Sequence, residues 1–361
     1  MSQSSAMDSI RIKAGKRACA VIQDGGFHFD RVTTYFAPAT GPRWLAATGF
    51  DLTLLKSDLL GQSRPVTLIG ASAGAWRFAA WTQPEPEKSY RSLMDAYIMT
   101  SYKRTETPAT ILQSMQDIMN TYLEDDALSF ALANKKYRLA IITARAKNLV
   151  SSETKWVQQI GLGICFLFNA VNRSHLYHFA ERVVFYNGPK PPHFCLRPDF
   201  RGRFIPLTEI NFKHAVMASG AIPVVIAGVR NIYGAPTGVY RDGGLIDYHL
   251  TQHYAPKDDD ITLFFNHQER IVPGWLDKKL SYRHPPDHIL DNVLMVYPSE
   301  DFIARLPGGK VPDRDDFKTF IDHPATRIEN WRQAVQLAEP LGEQFLELVE
   351  SGKIRNIVTG F

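Results

Sequence analysis

The sequence predicts an α/β protein built around a largely parallel sheet. Three observations carry this. Short apolar runs of strand length alternate with longer stretches of helical periodicity. Residues 65–79 read without a break as a strand, a tight glycine turn and a helix. The chain has 361 residues and no internal repeat, enough for a large core in one big domain or two.

Composition narrows the classes. Apolar residues make up 45% of the chain and charged residues 22%, the balance of a soluble globular protein rather than a disordered one. The net charge of +4 suits weak attraction to anionic surfaces. No long Lys/Arg run is present, so no nucleic-acid partner is expected. Cys19, Cys165 and Cys195 are far apart and form no CxxC, which argues against a zinc cluster and a disulfide framework. A reducing, cytoplasmic setting is the simplest expectation. Residues 1–17 lack the apolar core of a secretory signal, and no apolar stretch reaches membrane-spanning length.

Residues 1–10 read as a polar, frayed tail. The apolar run at 18–23 is expected to be the first, central strand, ending in the Asp24-Gly25-Gly26 loop. Residues 27–60, broken by Pro38, Gly41, Pro42 and Gly49, are expected to be a loop and one or two short helices, including 51–60. Residues 66–69 form the second strand. Residues 87–135 are helical, and Ile111, Met115, Ile118, Met119 and Tyr122 share one face, either core or the wall of a lipid pocket. A third strand follows at 137–143. Residues 156–171 form a helix whose second half is almost wholly apolar, read either as a buried helix or as a lid or shallow membrane contact. Further strands are expected at 183–186, 261–266 and 292–297, a loop at 188–203, and a helix at 207–220 with Thr208 as N-cap. Residues 313–350 are helical, with Ile328, Trp331 and Val335 on one face and a break at Pro340.

The chemistry centres on Gly70-Ala71-Ser72-Ala73-Gly74. Such a turn lifts a serine clear of the sheet, and its glycines let strand and helix pass close together. The helix N-terminus adds backbone N–H groups beside the hydroxyl. A serine needs a base. The histidines on offer after the turn include His175, His178, His214, His249, His253, His267, His284, His288 and His323, none in a distinctive context. The other source is a carboxylate. Asp242 in Tyr240-Arg241-Asp242-Gly243-Gly244 follows a strand end, and desolvation there would raise its proton affinity. A plain Asp-Gly turn remains the simpler reading of those residues alone.

Two motifs together bear a resemblance. Gly70-Ala-Ser72-Ala-Gly74 comes first. Ala215-Val-Met-Ala218-Ser219-Gly220-Ala221-Ile-Pro223 then leads to Asp242-Gly243-Gly244. In order and type this resembles the patatin-like phospholipase family, over roughly residues 17–250. The resemblance implies a three-layer α/β/α fold with a largely parallel central sheet. It implies an acyl-hydrolase domain over 11–300, with 301–361 expected as a helical extension packed on it. It also implies hydrolysis of lipid acyl esters by a serine–aspartate dyad, with Ser72 as nucleophile, Asp242 as base, and neither metal nor cofactor. Gly70 and Gly74 would frame the elbow, and Gly243 and Gly244 the turn after the base.

The family's oxyanion loop is a Gly-Gly-Gly-x-Arg/Lys-Gly run after the first strand. Here Gly25 and Gly26, with the N–H of Ala73, are expected in that role, although only two glycines stand there and the basic residue is missing from its place. Two alternatives stay open: a catalytically degenerate binding protein of the same fold, and a Ser-His-Asp esterase or thioesterase. The expected partner is a lipid or other acyl-ester substrate, with peripheral contact at a membrane as a further option.

Overall fold

The computed structural model describes residues 9–361. The first eight residues of the expected N-terminal tail lie outside the described residues, and Ile10 already belongs to a strand. Among the described residues, eleven strands form one mixed sheet, most of whose pairs are parallel. In chain order they are β1 Ile10–Ala14, β2 Val32–Ala37, β3 Val66–Ala71, β4 Tyr137–Ala146, β5 Ala180–Tyr186, β6 Arg203–Pro206, β7 Val229–Arg230, β8 Val239–Asp242, β9 Ile261–Phe265, β10 Val293–Pro298 and β11 Thr359–Gly360. Their spatial order is β11-β1-β10-β9-β2-β3-β4-β5-β6, with β8 pairing β4 and β7 pairing β8.

Alternation along the strands sorts the core into two faces. Tyr35, Leu68, Leu139, Ile141, Leu294 and Val296 enter one cluster. Phe36, Ile69, Ala140, Ile142, Val293 and Met295 enter the other. The first face is covered by helices α1 Lys16–Gly25, α2 Thr48–Lys56, α3 Ala73–Trp81, α4 Pro86–Met99, α5 Pro108–Asn120 and α6 Leu128–Ala133. The opposite face is covered by buried residues from 194–195, 248–254 and 271–290. Helix α7, Lys155–Val171, packs beyond the end of β4, and α8, Glu209–Gly220, lies against α3 and β4. The later helices are α9 Asp287–Leu290, α10 Glu300–Arg305, α11 Asp316–Thr319, α12 Pro324–Ala338, α13 Pro340–Glu350 and α14 Ile354–Ile357. Through Trp331, Leu341, Phe345 and Leu348 the C-terminal helices join the same core as α2 and α3, and β11 adds to the sheet edge.

One expected strand is a helix. Residues 18–23 lie inside α1. A short apolar run does not by itself distinguish strand from helix. The deciding feature is that the buried residues, Ala18 and Ile22, stand four apart, with Ala20 exposed between them. The strand expected there is instead β2, within a stretch read as loop and helix. Its Val32-Thr-Thr-Tyr-Phe-Ala37 run is rich in β-branched and aromatic residues, and every position is buried.

Helix α7 is neither wholly buried nor conventionally amphipathic. Its inward face carries Gln158, Gly161, Leu162, Cys165 and Asn169. Gln158 donates to the carbonyls of Val150 and Ser152, and Asn169 donates to Asp277 at 2.6 Å. Its outward face carries Trp156, Ile160, Leu167, Phe168 and Val171. Among the described residues no helix is long and apolar enough to cross a membrane.

Candidate active site

The site is assembled along one strand. Ala71, the last residue of β3, is paired with Ile142 of β4. Antiparallel β8 pairs with the next stretch of β4, so that Asp242 stands opposite Thr143. The two strands therefore point at each other along the same neighbour, and their ends meet. Ser72 follows the first and Asp242 ends the second. The Ser72 hydroxyl donates to Asp242 Oδ2 at 2.7 Å.

Local chemistry holds this meeting tight. Ser72 adopts φ 53° and ψ −125°, a conformation that costs an L-residue free energy and persists where its surroundings over-determine it. A Cβ on Gly74 would stand 2.1 Å from the Ala37 carbonyl oxygen, and one on Gly70 would stand 2.4 Å from the Ala75 nitrogen. The expected close passage of strand and helix is thus present at both glycines. Gly243 serves the same end beside β4, where a Cβ would meet the Ile142 oxygen at 2.1 Å. The amide of Ser72 donates to Ser219 Oγ at 2.8 Å, and that hydroxyl donates to the Ile142 carbonyl at 2.7 Å. Ser219 therefore ties α8 to the turn, a positioning role not assigned to it from sequence.

Helix α3 is anchored beneath by a buried network. Arg77 reaches Asp51 at 2.6 Å, and Tyr35 and Tyr90 donate to the same carboxylate at 2.6 and 2.5 Å. All four side chains are fully buried. A second buried pair, Arg182–Asp247 at 2.6 and 2.7 Å, holds the segment after Gly244 to β5.

Asp242 is buried, and burial pushes its carboxyl up to about 6. Hydrogen bonds from Ser72 and from the Gly244 amide (2.7 Å to Oδ1), with the more distant charges of Arg314 and Lys278, oppose that rise. The result is a carboxylate with a proton affinity near neutral pH, already in contact with a hydroxyl proton.

Gly25 and Gly26 are not brought to this site. Gly25 ends α1 and Gly26 caps it at φ 82°, with the Arg355 guanidinium alongside. The chain then enters β2 from its N-terminal end, where Asp30 contacts Ser63 and Arg64 just before β3. Ser72 lies past the opposite end of β3, a strand of six residues, so roughly 20 Å separates the two ends. The loop that does reach Ser72 follows β2. Ala39, Thr40 and Gly41 line the crevice with Ser72, Asp242 and Gly244. The Ala39 and Thr40 amides are engaged by the carbonyls of Tyr248 and Pro38. Gly41, at φ 56°, opens a 3-10 turn and so has an amide without an acceptor in that turn. Ala73 opens α3 in the same way. Ala73 thus stands next to Ser72, and Gly41 is the glycine that lines the crevice with it. The missed signal is Gly41-Pro42-Arg43 following a six-residue strand.

Above the crevice lies a cavity of about 730 Å³ that includes Ser72 in its wall. Trp44, Trp76, Leu93, Met115, Ile118 and Phe317 give it an apolar lining. The Met-rich face of α5 is thus core and cavity wall together. Among the described residues no histidine lines the crevice or the cavity. His249 accepts from the Val272 amide, and His253 bonds Asn292. Among the described residues no group of three or more His, Cys, Asp or Glu is placed to hold a metal ion.

No family model and no curated protein matches the chain. Among solved structures it is similar to the crystal structure of VipD from Legionella pneumophila, with 11% sequence identity and a TM-score of 0.35, over 92% of this chain and 70% of that one.

Proposed function

We propose that the protein is a serine acyl-hydrolase that cleaves fatty acyl esters through a Ser72–Asp242 dyad, the chemistry of patatin-like phospholipases. The observation that carries this is the 2.7 Å hydrogen bond from Ser72 to a buried carboxylate, with Ser72 in the wall of a cavity of about 730 Å³ whose lining is largely apolar. Ser72 Oγ attacks the ester carbonyl carbon while its proton passes to Asp242 Oδ2. The carbonyl oxygen gathers negative charge, and the amides of Gly41 and Ala73 are the donors offered to it. Collapse of this intermediate expels the alcohol, which takes the proton from Asp242. Water, deprotonated in turn by Asp242, releases the fatty acid and regenerates Ser72.

The cavity favours a long acyl chain over a short one, because each buried methylene contributes about 0.8 kcal/mol. The test is hydrolysis of p-nitrophenyl decanoate and acetate by the purified protein and by Ser72→Ala. The proposal expects a preference for the longer ester and loss of both activities in the variant. Appreciable hydrolysis by Ser72→Ala would remove Ser72 from the mechanism.

A further inference from the structure

Lys278 and Arg314 both face Ser72 from the C-terminal part of the chain, and both line the crevice and the cavity above it. Lys278 belongs to the 3-10 turn Trp275–Lys279, and its ammonium stands 4.1 Å from the centre of the Tyr248 ring. Arg314 precedes α11 and lies along Gly41, its Cγ 3.4 Å from where a Cβ on that glycine would be. Arg43 enters the same cavity from the loop after β2. Of the three, Arg43 has an acidic partner, Asp313 at 3.6 Å. Among the described residues neither Lys278 nor Arg314 has a carboxylate within ion-pair distance.

Three like charges converging on a half-buried site oppose one another. Asp242 and Asp315 are the acidic groups that offset them at Lys278, and Tyr248 is the polar ring beneath it. Burial first, then the charges of Arg314 and Arg43, pull Lys278 down to about 7. A cation held where its charge is disfavoured is relieved by an anion from outside. We infer that Lys278 and Arg314, with Arg43 behind them, form an anion-binding subsite that takes the phosphate-class group of an amphiphilic substrate beside the ester at Ser72. This rests on the acyl-hydrolase reading for its substrate, but the binding itself does not. The arrangement suits such a group: the apolar walls accept the chain and the cations accept the charged end.

Calorimetry on the Ser72→Ala protein tests the subsite without requiring turnover. Octyl phosphate, octyl glucoside and inorganic phosphate are titrated in turn. Octyl phosphate is expected to bind at least tenfold more tightly than octyl glucoside. Lys278→Gln or Arg314→Gln should each weaken octyl phosphate binding about tenfold, the size of a charge-assisted contact, and so remove most of that preference. Arg314→Lys, which keeps the charge, should restore part of it. Inorganic phosphate binding as tightly as octyl phosphate would assign the subsite to the free ion, and weaker binding would assign it to the amphiphile; either outcome supports an anion subsite. No preference for octyl phosphate in Ser72→Ala, or a preference unaltered in both folded Gln variants, overturns the inference. Thermal melts identify a variant that fails to fold, and the other then decides. A failure here would leave ester hydrolysis by Ser72 intact, and loss of that activity would leave the binding result standing.

Discussion

Ser72 and Asp242, 170 positions apart in the chain, are joined by a 2.7 Å hydrogen bond because two strands end against consecutive residues of a third. Ala71 faces Ile142 and Asp242 faces Thr143. The register of β4 therefore sets the distance between the proposed nucleophile and base. A one-residue slip of β8 would turn Asp242 to the other face of the sheet.

The raised proton affinity of Asp242 predicts a pH profile. A base must be ionised to accept the serine proton, so kcat/KM for a neutral ester should rise through about pH 6 and level off above it. Initial rates between pH 4.5 and 8.5 measure this. A flat profile across pH 5–7 would contradict the assignment.

The same shift has a stability consequence of opposite sign. A carboxyl whose pKa is raised on folding stabilises the native state fully below its unfolded value, about 4, and loses that contribution as pH rises through about 6. At pH 8 the buried carboxylate is a cost. Asp242→Asn should therefore abolish turnover and yet raise stability at pH 8, by about 1–3 kcal/mol. Urea unfolding at pH 8 and pH 5 checks it; the gain should shrink at the lower pH. A variant less stable than the parent at pH 8 would speak against a desolvated carboxylate.

The two glycine sites separate the proposed oxyanion loop at Gly41 from the one expected at Gly25 and Gly26. Gly41→Ala should lower kcat by about 10²–10³ with little change in KM, since the amide it displaces is offered to the oxyanion. Gly25→Ala should leave turnover unchanged, because among the described residues nothing beyond its chain neighbours and its own helix backbone lies within 4 Å of the added methyl, and the position is at the far end of β2. The reverse pattern in steady-state kinetics would restore the N-terminal glycines.

Burial of the Arg77–Asp51 pair predicts a large structural effect away from the chemistry. Asp51→Ala strands a fully buried guanidinium and leaves two buried tyrosine hydroxyls without their acceptor. The expected loss is about 3–5 kcal/mol in denaturant unfolding. A loss under about 1 kcal/mol would mean that the network does not anchor α3.

How much of this was legible in the sequence follows from what is local. The elbow and the Asp242-Gly243-Gly244 turn declare themselves because backbone crowding demands glycine: a side chain at 74 would strike Ala37, and one at 243 would strike Ile142. The sheet was readable wherever apolar runs were bounded by turns, as at β3, β4, β9 and β10. At the N-terminus, run length and polarity do not decide. There, a helical run with its buried residues four apart has the same length and polarity as a strand. The true β2 went unseen because Thr33 and Thr34 dilute its hydropathy, although their β-branching favours a strand. With the first strand expected at 18–23 and not at β2, the glycines expected near Ser72 are Gly25 and Gly26, which the fold places at the other end of the sheet. Lys278 and Arg314 carry no local signal. Their meeting at Ser72 depends on how the C-terminal part of the chain folds back to line the cavity.

The most direct test of the account is covalent. A fluorophosphonate reacts with a serine only when a base is placed to take its proton. Intact-mass and peptide analysis of the treated protein should show one adduct, on Ser72, absent in Ser72→Ala, strongly slowed in Asp242→Asn and retained in His253→Ala. An unlabelled Ser72 in the folded protein, or an adduct that forms equally fast in Asp242→Asn, would contradict the Ser72–Asp242 dyad.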